Sequence, residues 1–303
     1  MPELPRIVAV VGTNASGKSS LGVRLAQRFG GEIVSADSRQ VFRGLDLGSG
    51  KISPEEMRGV PHHLLGVCEP NDFFSMADFQ ALAYRAIDGI LARGNVPFLV
   101  GGTGLYVASV TEGYQLSDRA PNLRYREEVE TKTTPELYEM LVSAAPGVEI
   151  DRNNRNRVMR ALEKLESGDT KEPSREAKYR ALKLGVSWDR ETLKKRIDER
   201  LERRMNEGMV DEVRTLIKNG ASREFLMKLG LEYRFLTRYL DGEFSGEREM
   251  TEALSAAIKK FAKRQMTWFR GMERRGFHIE WLPYDMDDRE FIETLGKLQI
   301  KFG

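Results

Sequence analysis

An α/β fold, with helices flanking an open parallel sheet, is predicted by three features of this 303-residue sequence. Short apolar runs at 7–11, 32–35 and 96–100 are bounded by Gly, Asp or Pro, and the chain between them has helical periodicity. The octet Gly12-Thr13-Asn14-Ala15-Ser16-Gly17-Lys18-Ser19 directly follows the first run. It satisfies G-x-x-x-x-G-K-[ST] in a strand-turn-helix context, which makes the sheet P-loop NTPase-like. Such a sheet presents ligands at the carboxyl ends of its strands, so the chemistry is expected there.

The first helix, 19–29, carries Leu21, Leu25 and Phe29 four apart and stops at Gly30-Gly31. At 75–92, Ser75 and Asp78 form a capping pair, and Phe79, Leu82, Ala83, Ala86, Ile87 and Ile90 share one face. From Leu116 the rhythm becomes helical, at 122–132, 136–145 and 152–166. A polar connector at 168–173 precedes a strand-like run at 181–187. The expected organisation is therefore a core of residues 1–115 and 178–303 with a helical insertion domain at 116–177. Further helices are expected at 191–206, 210–219, 225–240 and 247–274. In the last of these, Ile258, Phe261, Ala262, Phe269 and Met272 make an apolar stripe, and Lys259, Lys260, Lys263, Arg264 and Arg270 cover much of the rest. Trp268 beside that basic surface either stacks on a base or packs.

Lys and Arg total 48 against 46 Asp and Glu, so the whole-chain charge excludes little, but its distribution is uneven. Residues 151–204 hold seventeen Lys or Arg against eleven Asp or Glu, and residues 257–275 hold seven against one. Each stretch is either a polyanion contact or a solvated helix face. The single cysteine, Cys68, excludes an intramolecular disulfide and suits a reducing compartment. No charged leader precedes a long apolar stretch, and no apolar run matches a bilayer's thickness, so a cytoplasmic protein without membrane association is expected.

The octet is a cradle for a diphosphate or triphosphate. Gly12 and Gly17 let backbone N–H groups converge on phosphate oxygens, Lys18 adds a point charge, and the Ser19 hydroxyl can hold Mg²⁺. After the second strand, Ser35-Ala36-Asp37-Ser38-Arg39-Gln40 puts a carboxylate at the ligand edge. Asp37 reads as a general base, a metal-shell acceptor, or a turn aspartate. The third strand ends in Gly101-Gly102-Thr103-Gly104, where a nucleotide hydrolase usually has a Mg²⁺-holding aspartate. Thr103 can offer its hydroxyl to a phosphate or leaving oxygen, or cap a helix. His62 and His63 lack ligand spacing and read as structural or hydrogen-bonding groups, and Cys68 lacks partners for a nucleophilic role. Arg157 and Arg160, three apart on a helix, fit a phosphate clamp, a solvated face, or the lid of a small-molecule kinase.

GTNASGKS, SADSRQVFRGLDLGSGK, GVPHHLLG, FSMADFQ, VGGTGLY, RNRVMRALE and AKRQMTWFR, in this order, closely resemble the tRNA dimethylallyltransferase family over residues 7–270. The resemblance implies transfer of a dimethylallyl group from dimethylallyl diphosphate to N6 of the adenine 3′ of the tRNA anticodon. It implies catalytic roles for Asp37 as base, Thr103 as donor near the bridging oxygen, and Lys18 as charge sink with Ser19 and Mg²⁺. Residues 12–19 would hold the diphosphate, and whether they also accept ATP stays open. The adenine would be extruded to reach them. Asp37, Ser38, Arg39, Gln40, Thr103, Arg124, Asn156, Arg157, Arg160, Lys228, Lys260 and Arg264 would contact the anticodon stem-loop, with the protein acting as a monomer. Two positions depart from the family's pattern: Met227 stands where Arg or Gln is usual, and Gly50 where alanine is more frequent. The rival readings are a small-molecule P-loop kinase, an adenylate isopentenyltransferase acting on free nucleotide, and a non-catalytic, nucleotide-gated RNA-binding module.

Overall fold

The computed structural model describes residues 3–116, 122–168, 174–284, 286 and 288–297. The connector expected at 168–173 falls outside them beyond Gly168. The chain forms two compact units, one made of Met1–Gly113 with Ala177–Gly303 and one of Tyr114–Glu176.

In chain order, the first unit begins β1 (Arg6–Gly12), α1 (Lys18–Phe29), β2 (Gly31–Ser35), α2 (Pro54–Met57), β3 (His62–His63), α3 (Met76–Ala92), β4 (Val96–Gly101) and α4 (Gly104–Thr111). The second unit holds β5 (Tyr114–Gln115), α5 (Leu123–Glu128), α6 (Thr134–Ala144), α7 (Arg155–Glu166) and β6 (Ser174–Arg175). The first then resumes with β7 (Arg180–Ser187), α8 (Arg190–Asn206), α9 (Met209–Lys218), α10 (Arg223–Leu229), α11 (Leu231–Leu240), α12 (Glu247–Arg274), β8 (Glu280–Pro283) and α13 (Asp288–Lys297).

Six parallel strands form the main sheet in the order β3-β2-β4-β1-β7-β8. β1 sits inside it, pairing Val8 with Phe98 of β4 and Leu182 of β7, and every β1 residue after Arg6 is buried. A continuous apolar run is what a parallel strand covered on both faces requires. The edge strands β3 and β8 carry no such run, since one has two residues and the other is Glu-Trp-Leu-Pro. In the second unit, β5 and β6 pair antiparallel and α6 packs on α7 through Leu137, Leu141, Val158 and Leu162. Among the described residues, no helix is long and apolar enough to cross a membrane.

Local chemistry explains the boundaries. α3 opens on a Ser75–Asp78 capping box, and α6 on a Thr133–Glu136 box, which starts it before the expected residue 136. Asn154 caps α7, which therefore begins at Arg155 and not at 152, and α5 ends at Glu128, short of the expected 132. The single helix expected at 225–240 is two. Gly230 adopts φ 72° and ψ −172°, a conformation that a Cβ disfavours, and breaks the run between α10 and α11. On α12 the buried face is Met250, Leu254, Ile258, Ala262, Gln265, Phe269 and Met272, so the stripe passes through Gln265 while Phe261 is only half-buried.

Glu32 anchors the start of β2. Its carboxylate accepts from Arg93 Nε at 2.9 Å and Nη2 at 2.7 Å, Asn95 Nδ2 at 2.8 Å, and lies 2.7 Å from His63 Nε2. The Arg93 bonds, seconded by Asn95 and His63, outweigh burial and hold its acid at about 2. His63 thus has the hydrogen-bonding role open to it in the sequence.

At the other end of the sheet, a Cβ on Gly101 would lie 2.1 Å from the Ala36 carbonyl oxygen, a backbone atom that cannot step aside. Gly101→Ala should cost about 2 kcal/mol and lower the thermal midpoint by roughly 4–8 °C. Gly89→Ala, inside α3 with only a flexible Arg93 nitrogen at 3.4 Å, should instead raise stability by about 0.5–1 kcal/mol. Thermal unfolding followed by circular dichroism separates the two; equal shifts would contradict the packing described here.

Candidate active site

Between β1 and α1 the chain curls through two left-handed residues, Ala15 at φ 60° and Gly17 at φ 90°. Such alternation turns consecutive N–H groups toward one concavity, an anion nest. Groups outside the curl are tied down. Asn14 N–H donates to Gln265 Oε1 at 2.8 Å, Arg196 Nε donates to the Ala15 carbonyl at 3.0 Å, and Trp188 Nε1 donates to the Ser16 carbonyl at 2.9 Å. Lys18 Nζ reaches back to the Thr13 carbonyl at 3.3 Å. The N–H groups of Lys18 and Ser19 open the first turn of α1, where intrahelical acceptors are lacking and the helix dipole favours an anion.

A cavity of about 410 Å³ lies over this turn, lined by Gly17, Lys18, Ser19, Arg58, Arg196, Arg200, Arg203 and Tyr284 among others. A smaller one of about 30 Å³ shares Lys18, Ser19 and Arg200 and is completed by Asp37, Arg39, Arg204 and Glu232. Arg196, Arg200 and Arg204 are four apart on α8, so one helix face delivers all three. The Arg196 guanidinium sits 4.4 Å from the Trp188 ring centre and 4.9 Å from that of Tyr284. Gly50, the departure noted above, matters here: a Cβ on it would lie 1.7 Å from Arg204 Nη2 and 2.4 Å from Arg200 Nη2.

Burial, and secondarily crowding, perturbs these cations. Burial pulls the Lys18 ammonium down to about 8 against the opposing pull of Asp37, and burial with the neighbouring Arg204 pulls Arg200 to about 9. Arg204 is lowered too, first by burial. Arg39 goes the other way, because the charges of Glu232 and Asp37 overcome its burial. It forms a buried ion pair with Glu232, which also stands 4.0 Å from Arg204.

Asp37 is 8 % exposed and follows β2 directly. Its Oδ1 accepts the Arg39 N–H at 3.0 Å, so the turn-aspartate role is real and coexists with its place in the cavity. Thr103 occupies the N-cap position of α4 but makes no side-chain cap; its Oγ1 accepts the Ser38 N–H at 3.1 Å instead. Gln40 spans Ser35 Oγ at 3.0 Å and the Gly50 carbonyl at 3.1 Å. Trp268 packs: a Cβ on Gly104 would come within 2.0 Å of its Cδ1, so the half-buried indole lies on α4's first residue.

The remaining expected residues lie on surfaces. Lys260 and Arg264 are exposed on α12, with Arg264 over the Phe261 ring at 5.5 Å. Lys228 is exposed on α10 and paired with Glu224 at 2.5 Å, while Met227 is half-buried beside it. In the second unit, Arg124 is exposed and pairs with Glu128 at 3.1 Å, and Asn156 and Arg157 are exposed in the first turn of α7. Arg160 Nη1 is held by Glu163 at 3.2 Å, a carboxylate that Arg126 also grips at 2.6 Å. The sequence reading missed Arg196, Arg200, Arg204, Glu232 and Gln265. The four-residue arginine spacing was the available signal, but it lay within a basic stretch read only as a surface.

A family model described as IPP transferase matches residues 40–272, and one described as Isopentenyl transferase matches residues 5–66. The chain belongs to the IPP transferase family. It is 41 % identical to tRNA dimethylallyltransferase 1 of Geotalea uraniireducens over 93 % of each chain. It is 42 % identical to tRNA dimethylallyltransferase 2 of Shewanella sediminis over 91 % of this chain and 92 % of that one. The crystal structure of the tRNA isopentenylpyrophosphate transferase of Bacillus halodurans superposes with a TM-score of 0.73 at 36 % identity, covering 97 % of this chain and 95 % of that one. A eukaryotic dimethylallyltransferase acting on tRNA, at 22 % identity and TM-score 0.80, shares the fold.

The lowered Lys18 sets a pH dependence for anions in this IPP transferase. Below pH 8 the ammonium is charged in the free protein, whereas above it binding must recruit a proton. The affinity for an organic diphosphate monoester should fall by up to about tenfold per pH unit above 8. Lys18→Met should bind more weakly and show a flatter profile between pH 7 and 8.5 by calorimetry; an equal slope in both proteins would assign the titration elsewhere.

Proposed function

We propose that this protein transfers a dimethylallyl group from dimethylallyl diphosphate to N6 of the adenine 3′ of a tRNA anticodon. The observation that carries the reading is the sharing of one cavity by Asp37 and Lys18, a carboxylate beside the mouth of an anion nest. In the step, the bond between the allylic carbon and its bridging oxygen breaks, that carbon bonds to N6, an N6 proton passes to Asp37, and diphosphate leaves. An exocyclic amine is a poor nucleophile and diphosphate a highly charged leaving group, so a base at one end and cations at the other are what the reaction needs. Lys18, Arg196, Arg200 and the N–H groups of α1's first turn face the leaving oxygens. Thr103, whose Oγ1 accepts the N–H of Ser38 next to Asp37, would serve the bridging oxygen.

Mg²⁺ fits this arrangement in one way. Among the described residues no cluster of three His, Cys, Asp or Glu could hold a metal unaided. Mg²⁺ characteristically takes one or two protein oxygens together with substrate phosphates and water, so the Ser19 hydroxyl and the donor's own oxygens would hold it, adding positive charge on the leaving group. The exposed faces of α12 and of α7's first turn, with Lys260, Arg264, Asn156 and Arg157, supply phosphate contacts to the anticodon stem-loop. The protein acts as a monomer in the cytoplasm.

Purified protein incubated with tRNA, Mg²⁺ and dimethylallyl diphosphate should yield N6-dimethylallyladenosine by nucleoside mass analysis; its absence would end this reading. Asp37→Asn should slow single-turnover transfer by about 10²-fold or more while leaving stem-loop affinity within about threefold. An unchanged rate would remove Asp37 as base. Lys260→Glu with Arg264→Glu should weaken RNA binding and flatten its log–log salt dependence by about 0.7–0.9 per lost phosphate contact. An unaltered slope would leave that face merely solvated.

A further inference from the structure

Gln265 is a polar amide in the middle of an apolar stripe. It is 6 % exposed, one turn beyond Ala262 and one before Phe269 on the buried face of α12. Its side chain makes two bonds to distant parts of the chain. Oε1 accepts the Asn14 N–H of the anion nest at 2.8 Å, and Nε2 donates to the Gly102 carbonyl at the end of β4 at 2.9 Å. Leaving either end of a buried amide unpaired costs about 1–3 kcal/mol, so the bonds hold one another in place. An amide of this length supplies an acceptor at one atom and a donor at the other; an ionised carboxylate would set an oxygen against the Gly102 carbonyl.

Three residues further along, Trp268 lies on Gly104, so the same helix face seats the whole 102–104 segment, with Thr103 between its two contacts. The opposite face of α12 carries Lys260, Lys263, Arg264 and Arg270, all exposed. One rigid helix therefore has a polyanion-binding exterior and an interior that grips both the nest and the Thr103 turn.

We propose that Gln265 is a positioning residue that couples polynucleotide binding on α12 to diphosphate binding in the nest, an inference that rests on the function proposed above. Gln265 does not itself face the anion, since the Asn14 N–H points at its amide. RNA phosphates on the exterior restrain α12, the restrained helix fixes the Asn14 amide and the Gly102 carbonyl through Gln265, and the nest then needs less ordering to take the diphosphate. Linkage makes the effect reciprocal, so diphosphate must tighten RNA by the same factor.

Calorimetric titration of an anticodon stem-loop RNA with and without Mg²⁺ and inorganic diphosphate measures that factor. The expected result for the unaltered protein is roughly five- to tenfold tighter binding of each ligand in the presence of the other. In Gln265→Glu and Gln265→Leu the stem-loop alone should bind within about threefold of the parent, inorganic diphosphate alone should bind more weakly because the Asn14 amide is no longer held, and the factor should fall to near one. A factor of one in the unaltered protein, or a preserved factor in folded variants, overturns the coupling role. Failure of the unaltered protein to bind either ligand instead overturns the functional reading beneath it. A second measurement avoids the variants: hydrogen exchange of the peptide carrying Asn14 should slow when RNA alone is added, and unchanged exchange there would overturn the inference.

Discussion

Unneutralised positive charge beside Asp37 is the constraint on which the rest of this structure depends. The small cavity gathers Lys18, Arg39, Arg200 and Arg204 against the carboxylates of Asp37 and Glu232. Glu232 is committed to Arg39 and shared with Arg204. What remains is a local surplus of cations, and burial first, seconded by repulsion from neighbouring arginines, lowers Lys18 and Arg200. Partly desolvated like charges are costly to keep in a folded chain, and an anion with several charges relieves that cost on entering. The surplus therefore selects for a polyanionic head group before any individual hydrogen bond is considered.

Keeping such a cluster open requires a scaffold that does not collapse onto it. The nest is held from outside by groups from three separate elements: Gln265 from α12, Arg196 from α8, and Trp188 at the end of β7. Each bonds a backbone group that turns away from the concavity, so the strained left-handed Ala15 is over-determined by its surroundings. Strain held this way orders the N–H groups in part, and whatever ordering folding accomplishes need not be repeated when a ligand binds. The helices after β7 are thus structural partners of the nest as well as carriers of charge.

Much of this was legible in the sequence because it is local. The octet at 12–19, the strand runs at 7–11 and 96–100, and the Ser75–Asp78 cap each depend on residues within a few positions of one another, and each forms where the pattern places it. The break at Gly230 was hidden because helical periodicity resumes on both sides of a single residue. β3 was hidden because two histidines have no period. Gln265 was hidden most deeply: its partners lie 251 and 163 residues away, and a lone glutamine in an amphipathic helix has no local signature. Arg200 and Arg204 were in view but unassignable, since a charge run facing a cavity and one facing solvent share a composition.

The glycines at the end of β4 connect these observations. In the sequence they stand out as the place where a Mg²⁺-holding aspartate is missing; in the fold they are where an added side chain has no room. A Cβ on Gly102 would lie 2.6 Å from Gln265 Nε2 and 3.2 Å from the Gly12 carbonyl, and one on Gly104 would enter the Trp268 ring. The two glycines have been given to close contact with α12 and the nest and the position between them holds Thr103, so no acidic side chain stands there to orient a water at the phosphates. A cradle built this way suits an anion that departs intact more than one that is hydrolysed. The same contact seats Thr103, whose Oγ1 accepts the N–H of Ser38, the residue after Asp37, so the packing of one helix against Gly102 and Gly104 sets both what the site lacks and what it presents.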